Sequence, residues 1–78
     1  MKPGDLIKLV SEDHSAQVYV AAIDVREQWA FDEGTFAVFL DEHHWLNERG
    51  HEKKLRILIE GRMGWIYESE CEVIDEAR

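Results

Sequence analysis

The segment with the densest chemistry is "DEHHW", Asp41 to Trp45, followed a few positions later by His51. Imidazoles and carboxylates ligate zinc and related ions when three or four of them converge on one point. In an extended chain His43 and His44 face opposite sides, because side chains alternate along a strand. The spacing matches no established ligand motif. The segment therefore reads as a solvated polar hairpin, with no metal and no cofactor expected. Cys71 is the only cysteine and could act as a nucleophile beside a histidine. Its flanking Glu70 and Glu72 raise a thiol pKa rather than lower it, so Cys71 reads as a small apolar core residue. Carboxylates are plentiful, but acid–base catalysis needs two of them held in different environments inside a cleft. Gly61 and Gly64 belong to hairpin geometry rather than to a phosphate-cradling loop. No enzymatic activity is expected.

The aromatic residues are the other candidates. Trp65 and Tyr67 flank Ile66, so a strand there turns both away from the core and makes them candidate protein-contact residues. Two readings of Trp65 stay open from sequence: a cover for an undersized core, or an interface anchor. Trp29 and Trp45 read as core-covering.

The elements that must position these residues follow from alternation and punctuation. "KPGD" opens with turn chemistry, Pro3 fixing φ and Gly4 permitting the bend. "LIKLV" (Leu6 to Val10) reads as a strand with Ile7 and Leu9 on one face. "SEDHSA" is a polar loop. "QVYVAAIDV" is apolar on both sides, as in a strand buried on both faces or covered by a loop. "REQWAFDEG" interrupts and ends at Gly34. "TFAVFLD" resumes as a strand. Residues 42–52 could form a short helix capped by Asp41 and stopped at Gly50. The alternative, favoured because His43 and Trp45 continue the alternation, is an extended hairpin turning at "NERG". "KLRILIE" is the clearest strand, with Leu55, Ile57 and Ile59 pointing one way. Gly61-Arg62 has the spacing of a tight hairpin. Gly64 falls inside the next strand, where a missing side chain marks a close approach. "ESE" can make only a single turn, and "CEVI" is a last strand with Cys71 and Val73 on one face.

Five short strands, a long first loop and a one-turn 3₁₀ helix before the last strand resemble the Src-homology-3-like (SH3-like) small barrel. The specific part is "GWIYESECEVI", in which Ile66 stands as the core residue, Glu68 to Glu70 as the turn and Cys71 as the opening of the closing strand. "KPGDLI", "GTFAVFLDE" and "EGRMGWIYESECEVID" together resemble small proteins of tailed cyanobacterial phages, with residues 11–33 outside the similarity. The resemblance implies an all-β single domain over residues 1–78. Tyr67 and Glu70 stand where peptide-binding SH3 domains carry proline and tyrosine, which argues against polyproline recognition.

Composition bounds the function. Seventy-eight residues make one small domain, and 17 acids against nine bases give a formal charge of −8. That balance argues against nucleic-acid binding and against an anionic membrane surface. A lone cysteine fits a reducing compartment. No apolar run approaches the roughly 18–20 residues that cross a bilayer, and "MKPGDL" has no apolar stretch of signal-peptide length. A cytoplasmic protein is expected, or one carried in a virion assembled there. The expected role is a non-enzymatic protein-binding or structural module, a phage accessory, with a protein partner and an open oligomeric state. The alternative is an acidic phage-encoded antagonist of a host protein that mimics nucleic acid. The acids at 12, 13, 32, 33, 41, 42 and 68–76 are spread over several loops, which favours docking over mimicry.

Overall fold

A computed structural model of the chain describes residues 1–13, 15–48 and 50–74. Among them the chain forms seven strands: β1 (Leu6–Leu9), β2 (Gln17–Ala22), β3 (Gln28–Asp32), β4 (Phe36–Asn47), β5 (Gly50–Ile59), β6 (Arg62–Tyr67) and β7 (Cys71–Val73). One turn of 3₁₀ helix, Glu68–Glu70, separates β6 from β7. The molecule is all-β, and every pairing is antiparallel, in the order β3-β2-β6-β5-β4-β1-β7. Asp75 and Glu76, two of the acids weighed above for charge placement, lie outside the described residues.

Seven strands stand where the SH3-like resemblance implied five; the six segments read as strands all form, and β3 is the addition. "REQWAFDEG" contains a real period-2 pattern, Trp29 and Phe31 inward with Gln28, Ala30 and Asp32 outward, hidden between charged flanks. Pairing of Val18 with Phe31 and Val20 with Trp29 sets both aromatics against the core. Only one face of β2 is covered: Val18 and Val20 are buried, while Tyr19 is 54% exposed. Its apolar outer face is therefore surface, not a second core.

A single cluster gathers Ile7 and Leu9 from β1, Val18 and Val20 from β2, Ala37 and Phe39 from β4, Leu55, Ile57 and Ile59 from β5, and Ile66 from β6. Strands β1 and β2 stand four steps apart in the sheet. In a flat sheet with strands about 4.8 Å apart they would be about 19 Å from one another. They share one core because the sheet curls into a half-barrel, as right-handed strand twist favours.

The turns follow their local chemistry. Lys2 to Asp5 closes with the Asp5 N–H donating to the Lys2 carbonyl at 3.0 Å, Gly4 taking φ +94°. The β5–β6 turn falls one residue earlier than its glycine suggested. Ile59 pairs with Arg62, so Glu60 and Gly61 are the two loop residues, at φ +50° and +79°. Two successive positive φ values are the twist-matched hairpin turn, and the non-glycine Glu60 occupies the left-handed region there. Residues 42–47 and 50–52 form the two paired strands of an extended hairpin rather than a helix, and Arg49 of the expected "NERG" turn lies outside the described residues. No helix of the described residues is long and apolar enough to cross a membrane.

Candidate functional site

The geometry of the site begins with one extra residue. Val38 pairs with Leu58 and Phe39 with Ile57, but Asp41 pairs with Arg56, leaving Leu40 as a bulge. Without it Asp41, His43 and Trp45 would continue the inward face of Ala37 and Phe39. The bulge advances the alternation by one, and these three side chains emerge on the outer face with Arg56, Lys54 and Glu52 of β5. On β6, Trp65 lies opposite Arg56 and Tyr67 opposite Lys54, which places them on this same outer face. Ala21 of β2 pairs with Trp65 and brings Tyr19 alongside. Pairing alone thus gathers side chains from four strands.

They form a connected aromatic surface. The His43 ring meets Trp65 edge-on at 4.9 Å and stacks against Trp45 at 6.0 Å, while Trp45 and Trp65 meet edge-on at 5.6 Å. Edge-to-face contact is the arrangement that aromatic quadrupoles favour. The Lys54 ammonium lies over both Trp45, at 5.7 Å, and Tyr67, at 5.5 Å. Arg56 holds Asp41 in a two-pronged pair, Nε to Oδ1 at 3.0 Å and Nη2 to Oδ2 at 2.6 Å. Asp41 Oδ1 also stands 3.3 Å from His43 Nε2. Tyr67 Oη donates to Glu52 at 3.2 Å, and burial together with the charge of Glu52 raises the phenol's pKa. Beside this surface a cleft of about 210 Å³ is lined by Tyr19, Ala21, Gln28, Lys54, Trp65 and Tyr67.

Trp65 and Tyr67 therefore stand where their alternation with buried Ile66 placed them, Tyr67 45% exposed and Trp65 partly covered by its aromatic neighbours. Trp45 does not cover the core; it is 41% exposed on the outer face. Trp29 does pack against the core, on the inner face under Arg62. Sequence reasoning missed His43, Trp45, Lys54 and Tyr19 as members of one surface. Alternation along β4 carries the signal for two of them, but the bulge that sets its phase leaves no mark in residue types.

The other chemical candidates separate. His44 lies on the opposite face of the hairpin from His43, beside His51. Among the described residues no group of three or more histidine, cysteine, aspartate or glutamate side chains is placed to hold a metal ion. Cys71 is half-buried at the edge of the core, and its thiol donates to the Glu68 carbonyl at 3.7 Å. Burial first, and then the charges of Glu68 and Glu70, push its pKa up to about 11. Glu72, expected to contribute, instead faces Lys8 at 3.4 Å. A thiol so placed is protonated at neutral pH.

No protein-family model, curated protein or solved structure matches the chain.

Proposed function

We propose that the chain is a non-enzymatic binding module that docks a protein partner on the outer face of β4, β5 and β6. One observation carries this reading: an aromatic surface with its charges cancelled, on a protein whose formal charge is −8. Within it Lys54 and Arg56 balance Glu52 and Asp41. Interface centres are enriched in tryptophan and tyrosine and depleted of net charge, with a polar rim. Trp65 and Tyr67 are the anchors, joined by Trp45 and Tyr19. Glu70 lines the cleft at its border, so the partner presents an apolar anchor with a basic side chain beside it. The SH3-like architecture belongs to the same proposal: the 3₁₀ turn, the closing strand and the curled sheet support it. The resemblance of both chain ends to small phage proteins is what supports reading the module as a phage accessory or virion component.

The acids support docking over nucleic-acid mimicry. Asp41 is held by Arg56, Glu42 and Glu68 by Lys53, and Glu72 by Lys8. Glu33 accepts from the Ser11 backbone at 2.9 Å. A mimic needs such carboxylates free and aligned. Affinity capture from the producing cell, run in parallel with wild type, Trp65→Ala, Tyr67→Ala and the distant loop variant Glu12→Ala, tests the reading. A protein held by wild type and Glu12→Ala but lost by both aromatic variants supports it. Equal retention by all four overturns it.

A further inference from the structure

Strand β6 pairs no farther than Lys54, so among the described residues His44–Asn47 and Gly50–Lys53 form a two-stranded ribbon that pairs only with itself. On this ribbon His44 lies opposite Lys53, and Leu46 opposite His51. His44 and His51 are thus diagonal neighbours on one face, within reach across the ladder. Their rings are nearly parallel, at 10°, with centroids 4.8 Å apart. His44 Nδ1 and His51 Nε2 face each other at 3.0 Å.

We propose that these two imidazoles form a bidentate nitrogen site for a divalent copper or nickel ion. Metal–nitrogen bonds of about 2.0–2.1 Å place two nitrogens about 2.9 Å apart at a right angle and about 3.4 Å apart at a tetrahedral angle. The metal-free pair, held at 3.0 Å by its hydrogen bond, is within a small ring rotation of either angle, and among divalent ions imidazole nitrogens hold copper(II) most tightly, with nickel(II) next among the ions that favour tetragonal geometry. Both nitrogens must offer lone pairs to the ion. In the metal-free pair one of them carries a proton and donates it to the other. On binding, that proton moves to the remote nitrogen of its own ring, so a neutral pair releases none.

For His44 the remote nitrogen is Nε2, which stands 3.7 Å from Glu42 Oε1. That gap is too long for a hydrogen bond, and a small rotation of the Glu42 side chain on metal binding closes it; a carboxylate behind a ligating imidazole then accepts its N–H and fixes the tautomer. The surrounding charges favour a cation. Among the described residues the adjacent positive group is Lys53, which lies between Glu42, at 3.7 Å, and Glu68, at 3.1 Å. Two carboxylates outweigh one ammonium. The His44 side chain is 46% exposed, so an ion enters directly from solvent, and water completes its coordination.

Isothermal titration with Cu²⁺ and Ni²⁺ near neutral pH tests this, with nuclear magnetic resonance of the histidine rings during the Ni²⁺ titration. The expected result is one ion per chain, Cu²⁺ tighter than Ni²⁺. Paramagnetic broadening is expected first at His44 and His51. Glu42→Gln weakens binding about tenfold, as loss of an outer-shell partner does, and His44→Ala and His51→Ala each weaken it more. His43→Ala, on the opposite face, leaves it unchanged. Circular dichroism on each variant verifies the fold, which the ribbon does not build. Absence of heat and of broadening at millimolar Ni²⁺ overturns the proposal, as does an equal loss in His43→Ala.

Discussion

Strands β4 and β5 run through two different surroundings. In the body they lie between β1 and β6, and Ala37, Phe39, Leu55, Ile57 and Ile59 are almost wholly withdrawn from water. In the arm they pair, among the described residues, only with each other, and Leu46 near its tip is 84% exposed. The arm accounts for the molecule's shape: four more residues per strand extend it by about 13 Å at strand rise. The long dimension is 39 Å against 25 Å for the other two. The two regions teach different things about how sequence constrains structure. In the body, burial dictates residue type. In the arm only pairing register decides what meets what, and residue types are free to serve contact with other molecules.

The largest expected difference is in core truncation. Ile57→Ala removes a fully buried side chain that the closed body cannot refill, and costs about 2–5 kcal/mol. Leu46→Ala in the arm stays within about 0.5 kcal/mol. Urea unfolding of both variants checks the pair, and a similar loss in each would erase the distinction between the regions.

The outer face sharpens the comparison. If this face docks a protein as proposed, Trp65→Ala lowers affinity for it by about 2 kcal/mol or more, measured by titration calorimetry, while the unfolding midpoint shifts little. A loss of about 3–5 kcal/mol of stability would move Trp65 into the body's core instead.

Gly64 tests how tightly the body closes. A Cβ built there would stand 2.8 Å from the Ala21 carbonyl oxygen and closer still to the Val20 side chain, with Trp29 behind at 3.5 Å. A backbone carbonyl cannot step aside, so Gly64→Val costs about 1–3 kcal/mol through overpacking. Urea denaturation that matches wild type would mean that β2 and β6 are looser than drawn.

The smallest effect concerns pH. The folded state holds the Cys71 proton up to about pH 11, whereas an unfolded thiol releases it near pH 9. The stability tied to that proton is complete below the lower value and is lost as pH rises toward the higher one. Urea midpoints should therefore fall more steeply across this range in wild type than in Cys71→Ala. Parallel curves would place the thiol outside the protected edge of the core.

Much of the body was legible because burial writes a period-2 signature. Ile7 and Leu9, Leu55 to Ile59, Ile66 and the Glu68–Glu70 turn all lie where alternation and turn chemistry put them. What stayed hidden depended on pairing. Trp29 and Phe31 form only two inward positions, too few to stand out between Arg26, Glu27, Asp32 and Glu33, until β2 supplies their partners. Trp65 and Tyr67 were legible as outward neighbours of Ile66. The meeting of Trp65 with His43 and Trp45 was not, since it requires the bulge at Leu40. Likewise the His44–His51 contact exists only in the hairpin's register, and no linear motif encodes it.

The bulge at Leu40 makes the outer surface depend on the parity of chain length. Point substitutions between Leu40 and the hairpin tip change one side chain at a time. Deleting Leu40, or inserting one residue beside it, exchanges the two faces of the strand beyond it at once, moving His43 and Trp45 to the face that now carries Glu42 and His44. Length changes by two preserve the arrangement. Sequences that share this surface should therefore vary freely in composition along the arm yet differ in length by even numbers, a pattern invisible to residue-by-residue similarity.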